Sequence, residues 1–294
     1  MSDPLRIYRY ANADEPWLAL NRADGTTVAI GPAADGRLTE LLEAADPLAA
    51  LEELAGSHPA GLDLTKVRLL PPIEHQEVWA AGVTYLRSKS ARMDESDFSA
   101  TAYDRVYEAE RPELFFKSLP QKTVGSGDSV GIRHDARWSV PEPELALVLN
   151  SRGETVAYTI GNDMSSRDIE GANLLYLPQA KTYTRSCALG PCLVLGIAEA
   201  EVRTWDIGIE IQRSERMVFA GHTSVGQIKR SFAELADFLF RCQSFPKGVV
   251  LLTGTALIPP PEFTLRSADE TTIAISSIGR LMNPVEVVGR SSDR

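Results

Sequence analysis

Glu142, Glu144 and Asp163 are the residues whose type and spacing point most directly to chemistry in this 294-residue chain. The run from Pro141 to Asn150 reads as a strand, Ser-Arg-Gly-Glu154 as a turn, and Thr155 to Asp163 as the returning strand. Side chains alternate along a strand, so Glu142 and Glu144 share one face while Leu145, Leu147 and Leu149 take the other. With the turn centred on Arg152 and Gly153, Glu142 falls opposite Asp163 and Glu144 opposite Gly161. Directly opposed residues have Cβ atoms about 4.5–5.5 Å apart, within reach of one bridging cation. The opposite face collects Leu145, Leu147, Leu149, Val156, Tyr158 and Ile160 as a core face.

Carboxylates this close repel one another and require either water or a positive partner. Spacing alone leaves a solvated acidic strand face as open as a cation site. An all-oxygen set selects a hard cation: Mg²⁺, with Mn²⁺ or Ca²⁺ as alternatives and Zn²⁺ disfavoured. Three protein ligands would leave coordination positions for water and substrate, which is a catalytic arrangement.

These residues need elements to position them. Ser165 and Asp168 have capping-box spacing, so Asp163 is expected where a strand hands over to a helix. Strands are expected near Arg6–Arg9, Trp17–Asn21 and Thr27–Ile30, then helices in Leu38–Ala45 and Leu48–Leu54. This makes residues 1–70 a small N-terminal α+β domain, and the paired prolines of Leu-Pro-Pro-Ile73 mark its end. Residues 71–294 are strand-rich. Asp206–Gln212 alternates and turns at Arg213–Arg216 into Met217–Ala220, and further strands are expected at Val249–Leu252, Thr272–Ser276 and Val285–Val288. Ile228, Phe232, Leu235 and Leu239 recur at helical spacing, predicting an amphipathic helix over Gln227–Arg241. The expected class is α+β.

Composition limits the partners. With 44% hydrophobic and 24% charged residues and a formal net charge of -10, the chain reads as a soluble globular protein. The charge argues against nucleic acid and acidic membrane surfaces, leaving small molecules as ligands. No signal-peptide core or bilayer-length apolar stretch is present, so a cytoplasmic location is expected. Cys187, Cys192 and Cys242 lack zinc-site spacing and are expected to be buried and reduced; His58, His75, His134 and His222 are scattered and form no motif. No nucleophile elbow supports Ser-His-Asp catalysis.

Several ordered motifs carry a resemblance. Glu142-Pro-Glu144-Leu-Ala-Leu-Val, Ile160-Gly-Asn-Asp163-Met-Ser-Ser-Arg-Asp168, Lys181-Thr, Leu189-Gly-Pro-Cys-Leu, Thr253-Gly-Thr255 and Ile278-Gly-Arg together resemble the fumarylacetoacetate hydrolase family, from about Val78 to Val288. The resemblance implies a mixed β-roll catalytic domain over 71–294, with Glu142, Glu144 and Asp163 binding Mg²⁺ or Mn²⁺, and a homodimer or homotetramer. The family hosts several reactions, so membership leaves the chemistry open. Its hydrolases carry a water-activating His and Glu after a Gly-x-Asn-Tyr-like stretch. Here that stretch, Gly82-Val-Thr-Tyr85 through Glu95, contains no His. Together with Arg111-Pro-Glu113-Leu-Phe-Phe-Lys117, it resembles the branch that dehydrates 2-keto-3-deoxy sugar acids.

That branch implies a metal-dependent hydro-lyase acting on a 2-keto-3-deoxy sugar acid. A 2-keto-3-deoxypentonate would chelate the cation, lose its C3 proton through a metal-stabilised enolate, lose the C4 hydroxyl, and tautomerise to 2-oxoglutarate semialdehyde. The resemblance assigns the proton acceptor and donor to Lys181 and Glu113, with their order open. Arg87 and Thr255 are candidates for holding the substrate, with Ser88 and Lys117 behind them. Three alternatives stand beside this: a metal-dependent acylpyruvate or fumarylacetoacetate-type hydrolase, a metal-free Schiff-base lyase using Lys181, and a non-catalytic 2-oxo-acid binding protein.

Overall fold

The computed structural model describes residues 4–13, 15–22, 24–33, 36–56, 61–85 and 105–289. Its largest element is a ten-stranded sheet that runs, from one edge, through Thr27–Pro32, Glu15–Asn21, Leu5–Asn12, Cys187–Leu195, Thr155–Asp163, Pro143–Leu149, Val249–Leu252, Glu77–Gly82 and Glu113–Ser118, with Arg68–Leu69 paired to Leu5–Asn12. A five-stranded sheet orders Arg216–Ser224, Asp206–Arg213, Glu270–Ile275, Gly279–Val288 and Val130–Arg133. Most pairs are antiparallel, but Val249–Leu252 runs parallel to Glu77–Gly82, and Gly279–Val288 parallel to Val130–Arg133. The fold is the β-rich mixed architecture expected.

Apolar alternation explains how the sheets pack. Leu145, Leu147 and Leu149 meet Ile207, Ile209, Ile211, Ile273 and Ile275 in one core between the sheets. Ala146, Val148, Val250 and Leu252, on the other face of the large sheet, join Leu38, Leu42 and Leu51 from the helices Arg37–Glu43 and Pro47–Gly56 in a second core. Pro143–Leu149 is therefore buried on both faces. The N-terminal strands extend the large sheet, since Leu5–Asn12 is hydrogen-bonded to Cys187–Leu195. Glu43 further accepts from the Ser151 N–H and hydroxyl, tying the end of the first helix to the hairpin turn.

The hairpin register is as expected, with Gly161 opposite Glu144 and the Asp163 N–H donating to the Glu142 carbonyl at 2.9 Å. Three local expectations are corrected. A bulge between Thr155 and Ala157 turns Val156 to the second core, away from Leu149 and Tyr158. Ser165 and Asp168 form no capping box: Ser165 is drawn into a strand pair with Val140, Asp168 accepts from the Arg137 N–H, and the helix Arg167–Ala172 begins at Ser166 without a side-chain cap. The helix expected from Gln227 begins at Phe232, because Ser231 caps it by accepting from the Glu234 N–H while Val225–Gln227 forms a separate 3₁₀ turn. Cys187 and Cys192 are buried free thiols, whereas Cys242 is exposed.

Candidate active site

Along Pro143–Leu149, the face turned to the second core passes from Val148 through Ala146 to Glu144, so apolar side chains give way to a carboxylate as the strand leaves the core. Glu142 precedes that strand, and Asp163 ends the neighbouring one. Gly161 keeps the approach narrow: a Cβ there would lie 2.3 Å from Leu252 Cδ2. The result is a cage in which Glu142, Glu144 and Asp163 each bring an oxygen within 4.8 Å of the others. None is more than 2% exposed, so the solvated acidic face is excluded.

Buried cations and one backbone donor make this burial tolerable. Lys181 Nζ donates to Glu142 Oε2 and Asp163 Oδ2, each at 2.8 Å. Lys117 Nζ pairs with Asp163 Oδ1 at 2.5 Å and donates to the carbonyls of Lys181 at 2.5 Å and Met164 at 2.9 Å. Arg167 Nη2 pairs with Glu142 Oε1 at 3.1 Å, and the Gly254 N–H donates to Glu144 Oε2 at 2.6 Å. Burial first, then the charges of Asp163 and Glu142, push the Glu144 carboxyl well above the usual carboxylate range, while Lys181 and the Gly254 N–H pull it back. A divalent cation relieves that repulsion, and the hard, all-oxygen donor set fits Mg²⁺.

Glu113 stands at the start of Glu113–Ser118, on the same strand face as Phe115 and Lys117. Opposite it, Gly82 leaves the space its side chain fills, since a Cβ at Gly82 would lie 1.9 Å from Glu113 Oε2. Glu113 and Glu170 line a pocket of about 510 Å³ with Val106, Arg111, Pro112, Leu114, Leu174 and Leu177. The Lys181 ammonium lies 5.8 Å from the centre of the ring of Phe115, two residues along the strand from Glu113.

The other expected residues divide. Thr255 is buried with its hydroxyl accepting from the Leu257 N–H, and it is Gly254 in that turn that reaches the cage. Arg87 and Ser88 lie outside the described residues. Arg167 and Glu170 were not singled out by the sequence reading. Arg167 lies in the Asn-Asp163-Met-Ser-Ser-Arg motif itself, and Glu170 follows within one helical turn, which is the signal that would have found both. Glu170 is fully buried and accepts from the Ser165 hydroxyl at 3.2 Å. Tyr183, with its hydroxyl pushed up by burial, lays its ring 6.0 Å from Lys117 Nζ.

The model of the fumarylacetoacetate (FAA) hydrolase C-terminal domain matches residues 77–286, which contain every element of this cage. The chain belongs to the fumarylacetoacetate hydrolase family. Within the family it is 45% identical over 217 residues to a probable 2-keto-3-deoxyxylonate dehydratase of Haloferax volcanii, covering 74% of each chain. It is 37% identical over 259 residues to the 2-dehydro-3-deoxy-D-arabinonate dehydratase of Saccharolobus solfataricus, covering 82% of this chain and 87% of that one. A solved family structure, 2-keto-3-deoxy-D-arabinonate dehydratase complexed with magnesium and 2,5-dioxopentanoate, superposes with a TM-score of 0.83 at 31% identity, covering 97% of this chain and 100% of that one.

Proposed function

We propose that the protein is a Mg²⁺-dependent dehydratase of a 2-keto-3-deoxypentonate, giving 2-oxoglutarate semialdehyde and water. The observation that carries this reading is Lys181 Nζ lying 2.8 Å from oxygens of both Glu142 and Asp163, an amine buried within the carboxylate cage of a protein whose Glu113 lines a pocket. Relatives described as dehydratases of such acids support it.

Glu142, Glu144 and Asp163 would hold the cation. When bound there, Mg²⁺ supplies Lewis acidity to a chelating 2-oxo acid and disfavours a second positive charge on Lys181. Lys181 takes a proton from C3. Glu113 delivers a proton to the C4 hydroxyl, which leaves as water, and the resulting 5-hydroxy enone isomerises to the aldehyde without any change in overall oxidation state. The apolar wall of Leu114, Leu174 and Leu177 limits bulk water around the reacting carbons. Thr255, Arg87 and Ser88 belong, in this reading, to the ring of groups that hold the substrate.

Mass spectrometry after incubation with 2-keto-3-deoxypentonates and acylpyruvates, with and without Mg²⁺, tests the reaction. Mg²⁺-dependent loss of water from the former supports the proposal. Cleavage of an acylpyruvate, or turnover that survives a chelator and is trapped by borohydride, overturns it. Among the described residues no helix is long and apolar enough to cross a membrane. A cytoplasmic homodimer or homotetramer, and a boundary near residue 70 between the N-terminal unit and the catalytic domain, complete the reading.

A further inference from the structure

The chain that leads into Glu113 is fastened by a guanidinium far away in sequence. Arg230 lies just ahead of the helix Phe232–Phe240 and is only 6% exposed. Its Nη1 donates to the Glu110 carbonyl at 3.0 Å and to Glu234 Oε1, and its Nη2 donates to the carbonyls of Ala109 at 2.6 Å and Val106 at 3.3 Å. The four N–H groups on the two terminal nitrogens meet four acceptors. Residues 105–108 are helical, and the last carbonyls of a helical turn look outside the helix for donors. Beside Arg230, Lys229 Nζ donates to the Tyr107 carbonyl at 2.7 Å and to Glu108 Oε2 at 3.0 Å. Arg111 stacks over Phe238 of the same helix, its guanidinium carbon 5.5 Å from the ring centre.

Glu113 depends on that entry. It is the first residue of Glu113–Ser118, which among the described residues is an edge strand of the large sheet, so its sheet neighbour, Gly82, lies on one side only. The segment before it also gives the pocket Val106, Arg111 and Pro112. We propose that Arg230 is a positioning residue for the dehydration: by clamping 106–110 it fixes the approach to Glu113 and aims its carboxyl group at the C4 oxygen of the substrate. Among the described residues its hydrogen bonds go to that segment and to Glu234, so it acts on substrate through the main chain that leads to Glu113. Lysine is no equivalent, since an ammonium has three donors on one nitrogen and the clamp uses four spread over two. The inference rests on the reading that Glu113 protonates the C4 hydroxyl.

Two reactions separate positioning from general damage. Dehydration of a 2-keto-3-deoxypentonate uses both Lys181 and Glu113, whereas 2-oxopentanoate has no C4 hydroxyl, and Mg²⁺-dependent exchange of its C3 protons with D₂O uses the base alone. In Arg230→Met, dehydration read by mass spectrometry is expected to fall about tenfold relative to that exchange, read by proton NMR. A loss of folded enzyme would lower both equally. Hydrogen–deuterium exchange of the backbone amides is expected to rise over residues 106–111 and to stay unchanged over residues 144–149. A dehydration-to-exchange ratio within about twofold of wild type, or unaltered amide exchange over residues 106–111, overturns the inference. Should circular dichroism show Arg230→Met unfolded, Arg230→Lys, which keeps the charge but not the fork, is read the same way. Failure of the wild type to dehydrate any 2-keto-3-deoxypentonate sinks the dehydratase reading instead, and the amide exchange still decides whether Arg230 clamps the segment.

Discussion

The carboxylate cage and the wall of the adjoining pocket are built in opposite ways. The cage is made from the ends of adjacent strands, is buried throughout, and has its carboxylates held by Lys117, Lys181, Arg167 and a main-chain N–H. The wall is made from the short segments 106–114 and 170–177, and its neighbourhood exposes apolar side chains such as Leu175 at 84% and Tyr176 at 44%. Charged groups buried in a low-dielectric interior must be matched one by one, which freezes their geometry. Apolar surface is non-directional and tolerates exchange. The cage is thus suited to chemistry shared across a family, and the wall to the choice of substrate.

The comparison is broken most severely if the cage is dispensable. Asp163→Asn is expected to lower Mg²⁺-dependent dehydration by about 10³-fold or more and to abolish the rise in thermal midpoint that Mg²⁺ gives the wild type, read by calorimetry. Lys181→Met is expected to cost about 10²–10⁴-fold in kcat, as loss of a general base does. Gly82→Ala tests the junction of the two regions: its Cβ would displace the Glu113 carboxylate, and kcat is expected to fall about 10²-fold with Mg²⁺ affinity unchanged. Leu174→Ala or Leu177→Ala in the wall is expected to raise KM by roughly fivefold, about 1 kcal/mol, with kcat kept. A wall variant that matched Asp163→Asn in its effect would refute the division of labour.

The smallest expected effect is on stability. The folded state raises the Glu144 carboxyl above its ordinary value, mainly through burial and the charges of Asp163 and Glu142. An acid raised in this way opposes folding once it is ionised, so its penalty is fully present above the folded value and vanishes as pH falls through that value toward the unfolded one. Glu144→Gln is therefore expected to raise the thermal midpoint of the metal-free protein at neutral pH by a few degrees, with the gain shrinking at lower pH, while weakening Mg²⁺ binding. Differential scanning calorimetry against pH checks both signs.

The cage ligands were legible from the sequence because they rest on local geometry. Period-two alternation and a short turn set the Glu142–Asp163 register, and the same alternation gave Leu145, Leu147 and Leu149 their core. The bulge that turned Val156 away was not legible, since one extra residue leaves no trace in the pattern. Nor was the capping-box spacing at Ser165 and Asp168 meaningful once Val140 recruited Ser165 into a strand pair. Glu113 and Lys181 came from motif resemblance, and what their motifs did not say was that Lys181 bridges Glu142 and Asp163 or that Gly82 makes room for Glu113.

By itself, the sequence determined the acidic hairpin and the clearly alternating strands such as Asp206–Gln212, which three acids meet, and that a hard cation suits them, because these follow from side-chain type and near-neighbour spacing. Tertiary structure alone decided that the acids are buried, that Lys117 pairs with Asp163, Arg167 with Glu142 and the Gly254 N–H with Glu144, and that Glu113 shares a pocket with Glu170. Those contacts join positions up to 110 residues apart. They depend on how the sheet and its connections close in three dimensions, which alternation along a single strand does not encode.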